Sequence, residues 1–195
     1  MNAPIRILGI DPGTRLCGWG LVDVTGGKLQ HVDNGVFVLG DTTPLAERLG
    51  LLLSGLEELF AKYEPNQAAV EGIFQHRNAR SALILGHARG VALASIARSG
   101  VPVHEYSPQQ VKKAVTGSGR ASKEQVQQMV GRRLGLEETP QEDAADAVAV
   151  ALCHGQHLNQ QGPQTTPIPR KKRGGKKKAA AALEALVLAQ QRGRK

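Results

Sequence analysis

The fold is decided first by residues 5–11, IRILGID, a mostly apolar stretch that ends in a carboxylate and runs into a Pro-Gly turn. A short apolar run closed by turn residues is typical of a buried strand. Two more strands are predicted at residues 19–22 and 35–39, with Gly26-Gly27 as the hairpin turn between them. The chain therefore begins with three strands, and Asp11 stands at the end of the first.

Beyond these strands, helices and strands alternate. Leucines at helical spacing predict a helix that follows the N-cap Thr43, with a proline at its first position. Residues 68–71 and 101–104 predict short strands on either side of a helix over 77–98. Three more helix starts match the capping box, at Ser107, Ser122 and Thr139. Strands first, then alternating strands and helices, predict an α/β domain with a mixed sheet.

The composition narrows the class of protein. Apolar residues make up 41% of the 195 residues and aromatic residues only 3%, so the core must be built mainly from aliphatic side chains. No stretch of about 18 apolar residues is present, so we expect no membrane span, and the N-terminus does not resemble a signal peptide. Cys17 and Cys153 lie far apart, which fits free thiols in a reducing cytoplasm.

The net charge of +8 is concentrated in the tail. Residues 159–195 hold ten Lys/Arg and one acid, and their Gln, Pro, Gly and Lys content predicts disorder, so we place the domain boundary between residues 158 and 159. Within the domain, the segment from Glu71 to Arg133 has ten basic residues against three acids. That segment could form a phosphate-binding face, but a solvated helix surface explains it equally well.

Two carboxylates near the end of the domain are the strongest sign of a site. Asp143 and Asp146 are three residues apart on a predicted helix, so they share a face, and small apolar residues surround them. Two acids on such a face repel each other and are costly to bury, and a divalent cation would remove that cost. A helix start favoured by the macrodipole explains Glu142 and Asp143, but it explains Asp146 poorly.

Asp11 and Glu71 each end a hydrophobic strand, where a rigid element can aim a side chain at a site. Taken singly, each is explained as well by an ordinary turn or loop. Together with the helical pair, they give four acids, enough to hold two cations of the kind that hydrolyses phosphodiesters. Lys112 and Lys123 could add positive charge at the scissile phosphate, although solvated lysines remain an alternative.

An ordered set of motifs resembles the bacterial RuvC family of Holliday junction resolvases over residues 5–158. The set comprises LGIDPG at 8–13, EGIF at 71–74 with NARSA at 78–82, GHARG at 86–90, VK at 111–112, SK at 122–123 and DAADA at 143–147.

The resemblance implies a ribonuclease-H-like fold, a mixed five-stranded sheet flanked by helices. It also implies a homodimer that places two symmetric nicks in a four-way DNA junction, uses Mg²⁺ or Mn²⁺ with two ions per active site, and works with the RuvA–RuvB branch-migration complex. The family's acidic ligands correspond to Asp11, Glu71, Asp143 and Asp146, and its basic residues near the site to Lys112 and Lys123. Its DNA-stacking aromatic corresponds to Phe74, and the further DNA contacts expected in this chain are Arg77, Asn78, Arg80, Arg89, Lys113 and Arg120.

The chain departs from the family pattern in two places. Residue 72 is Gly where Gln is more usual, and the basic tail is longer than the family needs, so we expect it to bind DNA without sequence preference. Three other functions fit the sequence less well. An actin-like or sugar-kinase ATPase would need a second phosphate loop; a junction-binding protein without catalysis would not need four acids; a nuclease for RNA–DNA hybrids is disfavoured by Phe74 and the two lysines.

Overall fold

The computed structural model describes residues 3–72 and 79–160. Within these ranges the strands are β1 (Ile5–Asp11), β2 (Leu16–Thr25), β3 (Lys28–Val38), β4 (Gln67–Glu71) and β5 (Val103–Tyr106). The helices are α1 (Leu45–Tyr63), α2 (Ala79–Ser99), α3 (Pro108–Thr116), α4 (Lys123–Leu134) and α5 (Glu142–Gln160).

The strands form one mixed sheet in the order β3-β2-β1-β4-β5. β1, β2 and β3 are antiparallel neighbours, whereas β4 lies parallel to β1, and β5 lies parallel to β4. Parallel strands need a crossover, and helices α1 and α2 supply the crossovers here. The predicted mixed five-stranded α/β fold is therefore confirmed.

The sheet has a helical layer on each face. Because side chains alternate along a strand, Ile7 points to one face and Leu8 to the other. The Ile7 face packs against α3, α4 and α5, and the Leu8 face packs against α1 and α2. Asp11 has the parity of Ile7, and Glu71 has the parity of Ala69, which also packs on the α5 side. The alternation therefore directs both strand-end acids toward α5.

Glycines allow α5 to lie directly on the sheet. A Cβ added at Gly9 would stand 2.1 Å from the carbonyl oxygen of Ala147, and one at Gly18 would stand 1.9 Å from that of Asp143. A Cβ at Gly20 would likewise collide with Val148. Backbone therefore approaches backbone along the β1–β2 hairpin, an approach that only glycine permits.

The imidazole of His154 on α5 is buried against the same face of the sheet, where polar side chains surround it. His154 is 2% exposed and shares a hydrogen bond of 2.7 Å with the Tyr106 hydroxyl. Its other ring nitrogen bonds the side-chain oxygen of Gln67, and its ring stacks on His104 at 4.1 Å between centroids. Burial lowers the pKa of His154 to about 4, with smaller contributions from His104 and His157. The ring is therefore neutral at pH 7.

Most predicted element boundaries lie within about three residues of the observed ones, but the strands predicted at 19–22 and 35–39 were too short. β2 runs over Leu16–Thr25 and β3 over Lys28–Val38, because the pairing of the hairpin extends both strands to the Gly26-Gly27 turn.

Two helix starts are also corrected. The capping boxes at Ser107 and Ser122 are confirmed, with both reciprocal hydrogen bonds present. Thr43 does not cap α1, because the N-cap is Pro44 and no side chain bonds the helix start. Thr139 does not start α5 either, since the helix begins at Glu142. The Pro140 carbonyl instead accepts a hydrogen bond of 2.7 Å from the Gln127 side chain, which holds this loop against α4.

None of the helices within the described residues is long and apolar enough to cross a membrane. Cys17 and Cys153 are free and buried, as expected. The predicted disordered tail lies outside the described residues apart from its first two positions, which continue α5, so the boundary after residue 158 stays a prediction.

Candidate active site

A cavity of about 360 Å³ opens where the carboxyl ends of β1 and β4 meet the starts of α3, α4 and α5. Its polar lining comes from Asp11, Glu71, Asp146, Lys112 and Lys123. Among the described residues the remaining lining is Pro12, Gly72, Leu85, Pro108, Val111 and Val126. Five of the six residues predicted from sequence as a catalytic set thus meet in one cavity, although each comes from a different element, namely β1, β4, α3, α4 and α5.

The two strand-end acids are neighbours because their strands are paired. Ile10 is in register with Val70, so Asp11 and Glu71, one residue further along parallel strands, end side by side. A hydrogen bond links their carboxyl groups. Paired acids at a rigid sheet edge are held without help from a flexible loop.

The helical acids reach the same region from α5. Asp146 lines the cavity with 22% of its side chain exposed. Asp143 is half-buried at the second position of the helix, where its carbonyl oxygen rests over Gly18, and it does not line this cavity. The close approach of α5 to the β1–β2 hairpin thus fixes how far Asp143 and Asp146 lie from the sheet.

Burial and mutual repulsion make the acids hard to ionise. Burial, the charges of Glu71 and Asp146, and the hydrogen bond with Glu71 together raise the pKa of Asp11 to about 8. Burial and the charge of Asp146 raise the pKa of Glu71. Burial raises the pKa of Asp146 as well, although Lys123 opposes that shift. Carboxylates that resist ionisation next to one another are suited to receive a cation.

Lys123 is bound to two acids of α5. Its Nζ lies 2.8 Å from Oε1 of Glu142 and 3.4 Å from Oδ2 of Asp146. Lys112 is half-buried on the cavity wall, and its charge acts on Glu71. Glu142 was not predicted as a site residue. It stands 19 positions from Lys123, and no spacing rule links the starts of two separate helices.

The donor set fits a hard divalent cation, because such ions prefer carboxylate oxygens. Within residues 3–72 and 79–160, however, no three Asp, Glu, His or Cys side chains stand ready as a metal-ligand group. The Asp11 and Glu71 carboxyl groups contact each other, and the Lys123 ammonium lies 3.4 Å from Asp146. A bound cation would replace part of these contacts.

The predicted DNA contacts have mixed placements. Phe74, Arg77 and Asn78 lie outside the described residues. Lys113 and Arg120 are exposed, on α3 and in the loop after it. Arg89 is half-buried and forms an ion pair with Glu105. Arg80 is exposed near the start of α2 and also has a partner. A role in DNA binding remains a prediction for all seven.

Comparison with known proteins decides the family. The sequence model described as "Crossover junction endodeoxyribonuclease RuvC" matches residues 7–154. The chain belongs to the RuvC family. A RuvC of Syntrophotalea carbinolica is 54% identical over 157 residues, which are 80% of this chain and 98% of that relative. A RuvC of Halorhodospira halophila is 52% identical over 152 residues, 78% of this chain and 90% of the relative.

Solved structures agree with this assignment. The structure described as "T. thermophilus RuvC in complex with Holliday junction substrate" is 36% identical, with a TM-score of 0.75 over 80% of this chain and 96% of that one. The yeast mitochondrial Holliday junction resolvase Ydc2 is 13% identical, with a TM-score of 0.55 over 77% of this chain and 78% of its own, and that likeness shows the fold alone.

Family membership confirms the resemblance, the ribonuclease-H-like fold and the predicted enzyme class. The chain is a crossover junction endodeoxyribonuclease, a phosphodiester hydrolase, and nucleases of this family depend on a divalent metal. The ATPase, non-catalytic and RNA–DNA hybrid alternatives are therefore wrong.

Proposed function

We propose that Asp11, Glu71, Asp143 and Asp146 hold two divalent cations, Mg²⁺ or Mn²⁺, at each active site, where this crossover junction endodeoxyribonuclease resolves four-way DNA junctions by paired symmetric nicks. The observation that carries the proposal is the meeting of Asp11, Glu71 and Asp146 with two lysines in one cavity. Bound there, the cations would activate a water and stabilise the leaving oxygen of the phosphodiester.

Each residue's contribution follows from its position. Asp11 and Glu71 form the fixed side of the site, since both are held by paired strands. Asp146, and Asp143 less than one turn before it, form the helical side. Lys112 and Lys123 place two positive charges on the cavity wall, where they attract the DNA phosphate and offset the negative charge that develops on it.

Paired nicks need two active sites, and α2 offers a surface for a second copy of the chain. Leu83 is 67% exposed on this helix. Among the described residues, a Cβ added at Gly86 or Gly90, further along the same side, would meet no atom within 4 Å beyond its chain neighbours and the nearby backbone of its own helix. The buried residues of α2, such as Ala88 and Ile96, pack on the sheet instead. An apolar face lined by small residues suits a close helix pair in a homodimer.

The remaining parts of the proposal rest on the family resemblance and on charge. Phe74, Arg77, Asn78, Arg80, Arg89, Lys113 and Arg120 contact the junction, and the basic tail adds affinity without sequence preference. The RuvA–RuvB complex is the partner that presents the junction. The enzyme acts in the cytoplasm, which suits its two free thiols.

A cleavage assay tests the function. The substrates are a synthetic mobile four-way junction and a linear duplex of the same sequence. We expect symmetric nicks in the junction alone, a requirement for Mg²⁺ or Mn²⁺, and binding without turnover in Ca²⁺. Equal cutting of the linear duplex, or strong activity in excess chelator, would contradict the proposal.

A substitution tests the site. We expect Asp146→Asn to lower the cleavage rate at least about a hundredfold while junction binding in Ca²⁺ stays within about twofold, because the variant loses a ligand and keeps the shape of the helix. Asp41→Asn is the matched control, since Asp41 is exposed and pairs with Arg15 away from the cavity. Near wild-type cleavage by Asp146→Asn would show that the metal site lies elsewhere.

A further inference from the structure

We infer that Glu142 is a positioning residue that holds the Lys123 ammonium beside Asp146, so that Lys123 stays at the active site while the Asp146 carboxylate remains available to a divalent cation. The inference rests on the proposed function, because it takes Asp146 as a metal ligand. Glu142 contacts neither the DNA phosphate nor the cation in this role. Its main effect on the site passes through Lys123, beside a smaller direct effect of its charge on Asp146.

The contacts of Lys123 with Glu142 and with Asp146 differ in strength. The 2.8 Å between Lys123 Nζ and Glu142 Oε1 is that of a charge-assisted hydrogen bond. The 3.4 Å between Lys123 Nζ and Asp146 Oδ2 is longer than the usual range for an N–H···O bond, so this contact is the weaker of the two. The direct bond of Lys123 is therefore to Glu142, and its attraction to Asp146 is the weaker and more easily broken contact.

The helix geometry explains why these two acids compete for one lysine. Glu142 and Asp146 are four residues apart on α5, so they lie on one face of the helix, and Lys123 approaches both from α4. Glu142 is 58% exposed, whereas Asp146 is 22% exposed. The acid nearer to solvent binds the lysine, and the acid nearer to the cavity is left for the metal.

The position of Lys123 in its own helix is costly without such a partner. Lys123 is the first residue of α4, where the positive end of the helix dipole repels a cation. The capping box at Ser122 and Gln125 fixes that helix start, so the lysine cannot move away with its backbone. Glu142 begins α5, where a negative charge is favoured, and it can hold the ammonium at little cost.

Without Glu142, Asp146 becomes the strongest partner left to Lys123. The ammonium then stands where a cation should bind, and the two compete. We expect Glu142→Gln to weaken Mn²⁺ binding to the DNA-free protein about tenfold, the lower end of the range for removal of a group outside the ligands, because Glu142 acts one contact further from the ion. The half-saturating Mg²⁺ concentration for junction cleavage should rise by a similar factor, which a simple loss of stability would not produce.

A double-mutant cycle with Lys123→Gln tests whether Glu142 acts through the lysine. Mn²⁺ binding is measured by calorimetry on the full chain for the wild type, each single variant and the double variant. We expect the tenfold effect of Glu142→Gln to shrink to within about twofold once Lys123 is glutamine. An undiminished effect in the Lys123→Gln background would mean that Glu142 acts on the ion itself, and no effect in the wild-type background would mean that it does not act at all. Either result overturns the inference.

Two further variants separate this inference from the proposed function. Glu58→Gln removes an exposed glutamate from α1 and should leave Mn²⁺ binding unchanged. Asp146→Asn should weaken Mn²⁺ binding in both lysine backgrounds. If Asp146→Asn has no effect on Mn²⁺ binding, the metal site itself is wrong; if it has the expected effect while the Glu142 cycle fails, only the role of Glu142 is wrong.

Discussion

Asp11 carries a cost in folding free energy that its replacement by asparagine should remove. In the folded protein, burial and the neighbouring acids raise its pKa from an ordinary value of 3.8 to about 8. At pH 7 this carboxyl is ionised in the unfolded chain but mostly protonated in the folded chain. Folding at pH 7 therefore requires the uptake of a proton, which costs free energy. Linkage converts that difference to at most about 4 kcal/mol of lost stability.

The expected gain from Asp11→Asn is about half of that limit. Glu71 shares the same buried space, and its own ionisation takes part of the cost when Asp11 is removed. The asparagine amide can still donate a hydrogen bond to Glu71. We therefore expect a gain of about 2 kcal/mol in the metal-free protein at pH 7, which corresponds to a rise of roughly 4–8 °C in melting temperature for a chain of this size.

The pH dependence distinguishes this cause from a general improvement in packing. Since the pKa of Asp11 is raised in the folded state, the wild type loses stability relative to Asp11→Asn as pH rises from about 4 to about 8. Thermal unfolding in excess chelator at pH 5.5 and pH 8 should show the larger difference at pH 8. Mg²⁺ should then stabilise the wild type and have little effect on the variant, which should not cleave DNA. A variant that melts below the wild type in chelator, or by the same margin at both pH values, would refute the reasoning.

Three other expectations follow from features away from the acids. Gly9→Ala should lower the free energy of unfolding in urea by more than about 3 kcal/mol, because the new methyl group meets the Ala147 carbonyl. The control Gly131→Ala, in open space within α4, should be neutral or stabilising by up to about 1 kcal/mol. A mild effect at Gly9 would show that α5 can move away from the sheet. The neutral ring of His154 should make stability fall by about 3 kcal/mol as pH drops from 6.5 to 4, because the unfolded chain takes up the proton first, and this slope should be much smaller in His154→Gln in urea titrations across that range. Truncation after Asn159 should weaken junction binding at low salt and flatten its salt dependence without abolishing cleavage, so an unchanged salt titration would rule out a DNA-binding tail.

The sheet and its strand-end acids could be predicted because they depend on local patterns. Alternation along β1 and β4, with Asp11 and Glu71 at their ends, is enough to aim both acids at one face. The capping boxes at Ser107 and Ser122 are equally local, because each is completed within four residues. Thr139 has the same local pattern but does not start α5, and the Pro140 carbonyl after it instead accepts a hydrogen bond from the distant Gln127 side chain.

The rest of the site depends on contacts between distant segments. The hydrogen bond between Lys123 and Glu142 joins two helix starts that no periodicity connects. Gly9 and Gly18 could be read as ordinary strand glycines until α5 is seen to lie over them. The polar network of His154 is hidden for the same reason, because Tyr106 and Gln67 reach it from two different strands. Local sequence patterns are enough to predict the acidic residues of the site. The contacts that position them become visible only in the folded structure.

The contact of α5 with the β1–β2 hairpin has a consequence for how the enzyme fails. Between most packed elements, side chains separate the two backbones, and small shifts of these side chains can accommodate a substitution. Over Gly9 and Gly18 no side chain separates α5 from the sheet. The distance between the acids of α5 and the acids at the strand ends is therefore nearly fixed. A substitution elsewhere in the core should therefore lower the population of folded enzyme well before it degrades the catalytic rate of each folded molecule. Destabilised variants of this nuclease should be scarce in the folded state and fully competent when folded.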